Sequence, residues 1–392
     1  GHTSFMMSKA WNKFIKNKNI PSFPLYLKVW GDTMVVIYNL NKSDSIIKRG
    51  TIITSINGIS SHDIISIMFD YLVEDGYSNN VNYIRLSSGF PYLHRNIFGL
   101  YKTYNIGYID SNGVQSTTSI PYFSPPIDSS KIKKKIEKEQ RRLNKKGKLE
   151  NIRSLQVDTS SALMTINSFS KGHLKNFFKR SFRRLRHDQV KNLVIDIRAN
   201  GGGDIDNYVL LTKYLRKTSF KVVDTACSQS KNFAPFTRHI SSGFFNNISL
   251  IFLSHKEKDG KYHFGFWERH VFTPKRKNFF NGNVYVLING LTFSASSLFC
   301  NAVKGQQNIT LVGEETGGGW YGNSGIMIPN IKLPITKMRV RLPFFRIVQY
   351  NHIAEKGTGV MPDIYIKPVY KDVIKGIDTK MQIVKTMING KN

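Results

Sequence analysis

The chain has 392 residues, a formal net charge of +31 and 40% hydrophobic content, which excludes a disordered or collagen-like polymer. Its length fits two or three domains, each able to bury a core. No apolar run reaches the roughly 18–20 residues of a membrane-spanning helix, and its 2 cysteines, Cys227 and Cys300, exclude a disulfide-stapled fold or a four-thiolate zinc site.

The chain opens on Gly1 and no charged-then-apolar leader follows, so a truncated N-terminus, with any export signal outside the sequence, is the expectation. From Phe23 to Phe123 short β-rich runs alternate with turns: LYLKVW, TMVVIYNL and GTIITSING read as strands, and DIISIMFDYL as an apolar helix. Residues 124–156 read as a linker, with turn-forming SPPIDSS followed by a Lys-rich run. From Val157 the texture becomes α/β. SALMTINSF, NLVIDIR and VYVLING are expected strands, and Leu174–Arg186, NYVLLTKYL and SASSLFCNAV expected helices.

The charge invites a nucleic-acid reading, because clustered Lys and Arg neutralise phosphates. Lys131 to Arg153 holds eleven basic and three acidic residues, and its apolar positions are too sparse to anchor a core helix. In Leu174–Arg186 the residues Leu174, Phe177, Phe178, Phe182 and Leu185 recur at helical spacing, so the basic positions form a solvated face. No zinc-finger, helix-turn-helix or aromatic ribonucleoprotein pattern accompanies the charge, so no specific nucleic-acid site is expected. Weak contact with anionic surfaces remains open.

Two segments carry chemistry. In NLVIDIRANGGGDID an apolar strand runs into Gly201, Gly202 and Gly203, where backbone N–H groups can approach a ligand unobstructed. The pattern is not G-x-G-x-x-G and no Gly-Lys-Ser/Thr follows, which disfavours a nucleotide loop. In VYVLINGLTFSASSLFCNAV, Ser294 sits at a helix start. It can be a nucleophile with the Ala295 N–H as oxyanion donor, or an ordinary helix cap competing with Ser296 and Ser297.

In combination, R-x-N-G-G-G, then S-A-S at a helix start, then V-G-E-x-T-G-G resemble the tail-specific, or C-terminal processing, serine proteases. Lys48 to Leu72 resembles the heart of a PDZ domain, where a Gly leads into a strand, an Asn-Gly turn and a helix. The resemblance implies a crotonase-like (ββα superhelix) α/β core with an inserted β-rich PDZ-like domain. It implies peptide-bond hydrolysis by Ser294, with an oxyanion hole from Gly201, Gly202 and Ala295. Members with a Ser-Lys dyad place the lysine where this chain has Gly319, and Lys304 fits no such role. The tricorn-like branch instead uses a histidine ahead of the PDZ domain and a late glutamate. GHTSF resembles its D-G-H-T motif, making His2 the general base, and HIAEKGTGVMPD resembles E-x-x-G-V-x-P-D, making Glu355 the acid. One extra residue precedes Gly359, and the serine beside tricorn's histidine is Gly1 here.

The expected division is 1–22 as a core remnant carrying the base, 23–123 PDZ-like, 124–156 a basic insertion and 157–392 the catalytic core. No cofactor and no metal are expected; the partners are protein or peptide substrates. Family habit implies an extracytoplasmic site, in the periplasm or envelope of a bacterium. His352 is a second candidate base, with a loop role as the plainer alternative. His255, His263 and His270, with no zincin spacing and no nearby carboxylate motif, read as surface histidines, and Cys300 as packing. His2 stands near the chain end, where fraying is expected. The alternatives are a catalytically silent homologue binding a peptide or lipid in the same cleft, and a basic surface binder working through Lys131–Arg153.

Overall fold

A computed structural model describes residues 2–16, 18, 20–110, 112–125, 145–240, 250–350 and 354–390. His352 and most of the basic insertion therefore lie outside the described residues. The chain divides into two units. One gathers Gly1–Lys18, Asp75–Ser78 and Leu149–Tyr365; the other gathers Asn19–Glu74, Asn79–Lys148 and Ile366–Asn392.

The first unit is built on a six-stranded sheet in the order Ile364–Tyr365, Ile309–Gly313, Asn283–Ile288, Asn192–Asp196, Ser161–Ile166, Arg153–Val157. All neighbours are parallel except the last pair. The central strands are buried along almost their whole length because parallel strands need crossovers, and those crossovers cover the faces. Helices Leu174–His187, Ile205–Leu215 and Ala295–Val303 supply that cover. Phe182 stacks on Tyr214 at 4.3 Å, locking the first helix to the second. The apolar stripe of Leu174–His187 is buried as its spacing required, while the cations between face water.

Strand Arg153–Val157 corrects the expected linker. It pairs with Ser161–Ile166 as an edge of this sheet, and Arg153 stacks over the Phe177 ring at 4.5 Å. The basic run therefore ends inside the sheet rather than before it.

Two antiparallel sheets complete the unit. One runs His255–Lys256, Tyr262–His263, Val223–Ser228, Phe345–Gln349, Gly322–Ile326; the other runs Ser4–Met6, Arg339–Arg341, Asn330–Lys332. Ser4 pairs with Arg341 and Met6 with Arg339, so the residues just after His2 are tied into a sheet rather than frayed.

The second unit holds antiparallel strands Leu25–Trp30, Thr33–Asn39, Ile52–Ile56, Thr103–Ile109 and Gln115–Pro121 in that order. Asn57 and Gly58 take φ of 51° and 82°, the positive pair that a tight hairpin requires. Ser60 Oγ then accepts from Asp63 N–H at 3.1 Å, capping helix Ser61–Phe69. Leu25, Leu27, Val29, Phe90 and Tyr104 form its dry centre. Helix Asn80–Phe98 was not legible in the sequence, because Gly89 and Pro91 interrupt its period and kink it. Residues 366–392, expected in the catalytic core, group here instead. Their helix Tyr370–Lys375 is held by Tyr370 Oη donating to Gly50 O at 2.8 Å and by Arg49 Nε donating to Ile374 O at 3.0 Å. Among the described residues no helix is long and apolar enough to cross a membrane.

Candidate active site

Strands Asn192–Asp196 and Asn283–Ile288 are adjacent, parallel and in register, with Asp196 opposite Leu287. Their carboxyl ends therefore deliver two loops side by side, the place where open α/β sheets bind ligands. One loop carries the glycines and the other Ser294.

The Ser294 turn is held from both sides. Thr292 Oγ1 accepts from Asn289 N–H at 3.1 Å and donates to Ile197 O at 3.2 Å, while Ser297 Oγ donates to Thr292 O at 3.1 Å. Ser294 itself stands at φ 53°, ψ −122°, a conformation costing about 1–3 kcal/mol for a residue with a side chain. Its hydroxyl makes no capping bond to the helix it precedes, so capping does not explain this serine. A strained strand-to-helix turn that frees a serine hydroxyl is the geometry of a nucleophile elbow. Ala295 opens the helix, where first-turn N–H groups have no intrahelical acceptor.

Asn200, fully buried, joins the two loops. Its carbonyl accepts from Phe293 N–H at 3.2 Å and its Oδ1 from Gly202 N–H at 2.9 Å. Gly202 takes φ 104°, and a Cβ there would lie 2.8 Å from Ser294 Cβ and 3.0 Å from Ala295 N. Only glycine permits this approach. Of the expected oxyanion glycines, Gly202 thus spends its N–H on Asn200 in this structure, whereas Gly201 is exposed with open space around it.

The opposite wall brings His2. A Cβ on Gly325 would lie 3.1 Å from Ser294 Oγ and 3.2 Å from His2 Nε2, so the two reactive atoms flank one bare backbone position. The His2 ring packs 5.6 Å from Phe293, and both its nitrogens are buried without a hydrogen-bond partner among the described residues. Burial pulls its pKa below the usual histidine value; Asp75 opposes that, and Arg341 adds to it. His2 is therefore neutral near pH 7, the form that accepts a proton.

Asp75 is the site residue that sequence reasoning missed. It belongs to the four-residue Asp75–Ser78 segment of the protease unit, and its Oδ2 accepts from Gly319 N–H at 3.5 Å. By the resemblance Gly319 is the position where a dyad lysine would stand, so in this chain a carboxylate meets that position instead. No local motif marks it. Neither Asp75 nor Glu355 hydrogen-bonds the His2 ring, but Asp75 acts on it by charge, whereas Glu355 is exposed and its carbonyl accepts from Thr358 Oγ1. Lys304 is tied by its ammonium to Asp363 Oδ1 at 2.6 Å and Met361 O at 2.9 Å, away from any base role.

The remaining candidates separate cleanly. Cys300 is fully buried and its thiol is pushed up by burial, consistent with packing. His263 corrects the surface reading, since its ring sits between Glu268 Oε1 at 2.8 Å and Asp259 Oδ1 at 3.2 Å. Those carboxylates outweigh burial and raise its pKa. His255 pairs with Glu257 at 2.7 Å, and His270 stacks on Phe266. Among the described residues no group of three or more His, Cys, Asp and Glu is placed to hold a metal.

No curated protein matches the chain. Among solved structures, mature CPAF complexed with lactacystin superposes with a TM-score of 0.60 at 14% identity, covering 99% of this chain and 86% of that one, which establishes a shared fold. A candidate peptidase from Parabacteroides merdae ATCC 43184 matches at 18% identity and TM-score 0.41, covering 60% of this chain; the match spans 63% of that chain. The tricorn protease matches at 15% identity and TM-score 0.35, over 95% of this chain and 29% of that one. The description Peptidase family S41 fits residues 160–366, more than half of the sequence and the whole span from strand Ser161–Ile166 past the Gly-rich and Ser294 loops. The chain thus belongs to peptidase family S41 and is a serine-type peptidase.

Proposed function

We propose that the chain hydrolyses peptide bonds with Ser294 as nucleophile and His2 as general base. The observation that carries this is the pair of reactive atoms flanking Gly325, with Ser294 held at positive φ and its hydroxyl free of the helix cap. Neutral His2 accepts the Ser294 proton as Oγ attacks the scissile carbonyl, then returns it to the leaving amine. Water, activated by the same ring, releases the acyl product. The Ala295 and Gly201 N–H groups are the donors assigned to the developing oxyanion, and Gly202 joins them if substrate draws its N–H away from Asn200.

Asp75 takes the orienting role that the motif assigned to Glu355, because its charge is the one that favours the protonated ring. Glu355 is left a supporting place at the exposed loop. The histidine base and the order of the segments support a tricorn-like branch, and the Asn57-Gly58 hairpin with its following helix supports a PDZ-like module that captures an extended peptide at a sheet edge.

A second reading has one observation in its favour. The unpartnered nitrogens of His2 also suit a silent homologue that binds peptide without cleaving it. Turnover of a casein-derived peptide mixture by the parent chain, lost in Ser294→Ala and in His2→Ala, supports catalysis; binding by all three with no cleavage by any sinks it.

A further inference from the structure

Beyond the catalytic pair, the protease unit holds a cavity of about 770 Å³ between the start of the chain and two distant loops. Lys9, Arg238, His239, Lys332, Lys337 and Arg339 line it, and no carboxylate does. The sequence around these lining residues carries no acid: none occurs in residues 1–18, 225–240 or 316–350. Among the described residues none of the five lysine and arginine side chains has an ion-pair partner, Arg238 Nε donates to His239 Nε2, and the Arg339 Nε is buried without any acceptor. Like charges packed at such density repel, and a cleft focuses their field, so the cavity is poised for an anion.

Its position says which anion. Strand Ser4–Met6 runs from just after His2 to just before Ser8, which lines the cavity, and Arg339 sits opposite Met6 in the pairing. That strand is the edge of its sheet among the described residues, open to an added extended chain. Six residues of extended backbone cover about 20 Å. No phenylalanine, tyrosine or tryptophan lines the cavity among the described residues, which removes the stacking platform that single-stranded nucleic acid uses.

We propose that this cavity is a subsite for an acidic segment of an extended peptide substrate, laid along the Ser4–Met6 edge about six residues from the scissile bond. The proposal rests on the peptidase reading above, and its first test is independent of turnover. In the Ser294→Ala chain, fluorescence anisotropy compares a labelled neutral peptide with one carrying three glutamates at that spacing and one carrying them adjacent to the cleavage site. The spaced acidic peptide is expected to bind about tenfold tighter than the other two, with the advantage lost in Lys9→Gln/Lys332→Gln and in high salt. In the catalytically intact chain the same double change, at two exposed positions, is expected to raise KM for the acidic substrate about tenfold and leave kcat and short neutral peptides alone. Equal binding of the three peptides overturns the proposal. So does a double variant that loses phosphatidylserine vesicles or an oligonucleotide while keeping the peptide preference. A preference that survives in a chain showing no turnover would retain the acidic-peptide site and remove only the peptidase reading.

Discussion

Gly202 stands against Ser294 so closely that a single added methyl group would lie 2.8 Å from the serine Cβ. The contact couples the two loops that the parallel strands deliver, and it explains why the glycine run and the distant serine belong to one site. Gly202→Ala should therefore lower kcat by about 100-fold or more, the scale of losing an oxyanion donor, because the Ser294 turn must shift. Its positive φ adds about 1 kcal/mol or more of strain. A variant with parental kcat would show the two loops to be uncoupled.

Gly325 tests the other side of the serine. An alanine there places its methyl between Ser294 Oγ and His2 Nε2, at 3.1 and 3.2 Å, and bars their approach. Turnover should fall by about 1,000-fold, the order of losing a general base, while peptide affinity holds. Affinity and turnover falling together would mean that the strand itself had moved.

Asp75→Asn separates an orienting carboxylate from a structural one. Burial lowers the His2 pKa and Asp75 raises it, so removing the charge should carry the midpoint of kcat/KM further down in pH. The rate plateau should drop about tenfold or more, since the imidazolium formed during attack loses its counter-charge. Asp75→Glu should recover part of both. A pH profile that keeps its midpoint in Asp75→Asn would assign the residue to folding alone.

His94 makes the second unit sensitive to acid. Its ring is buried among Phe23, Phe90, Phe98 and Tyr104, with Nδ1 unpartnered, and burial depresses its pKa to about 4. The unfolded ring titrates near 6.5, so between those values the unfolded chain binds more protons and stability falls as pH falls. Stability is whole above pH 6.5 and drops by up to about 3 kcal/mol as pH approaches 4. His94→Phe, which suits the aromatic cluster, should flatten that slope in urea titrations at a series of pH values. An unchanged slope would place the acid sensitivity elsewhere.

What the sequence disclosed follows from how local each signal is. The core strands and the Leu174–His187 helix are written in apolar spacing over a few residues, and the Ser294 elbow in a strand, a turn and a helix start. Asp75 is different: it joins the protease unit as part of a four-residue excursion from a segment that otherwise belongs to the other unit, and nothing beside it marks the change. The same holds for residues 366–392, whose helices are locally plain but whose partner, the Arg49–Gly50 turn, lies over 300 residues away. The carboxylates around His263 escaped notice because Asp259 and Glu268 flank it in sequence without any catalytic or zinc spacing.

The claim that matters most is an activated Ser294 served by a neutral His2 whose ring nitrogens are buried. Labelling with a fluorophosphonate probe, followed by pH and mapped by mass spectrometry, tests it directly. The account expects Ser294 alone to be acylated, with a rate that rises through a midpoint below the ordinary histidine value of 6.5 and falls to background in His2→Ala. Labelling that persists in His2→Ala, or that rises only at a lysine-like pH near 9–10, would contradict it.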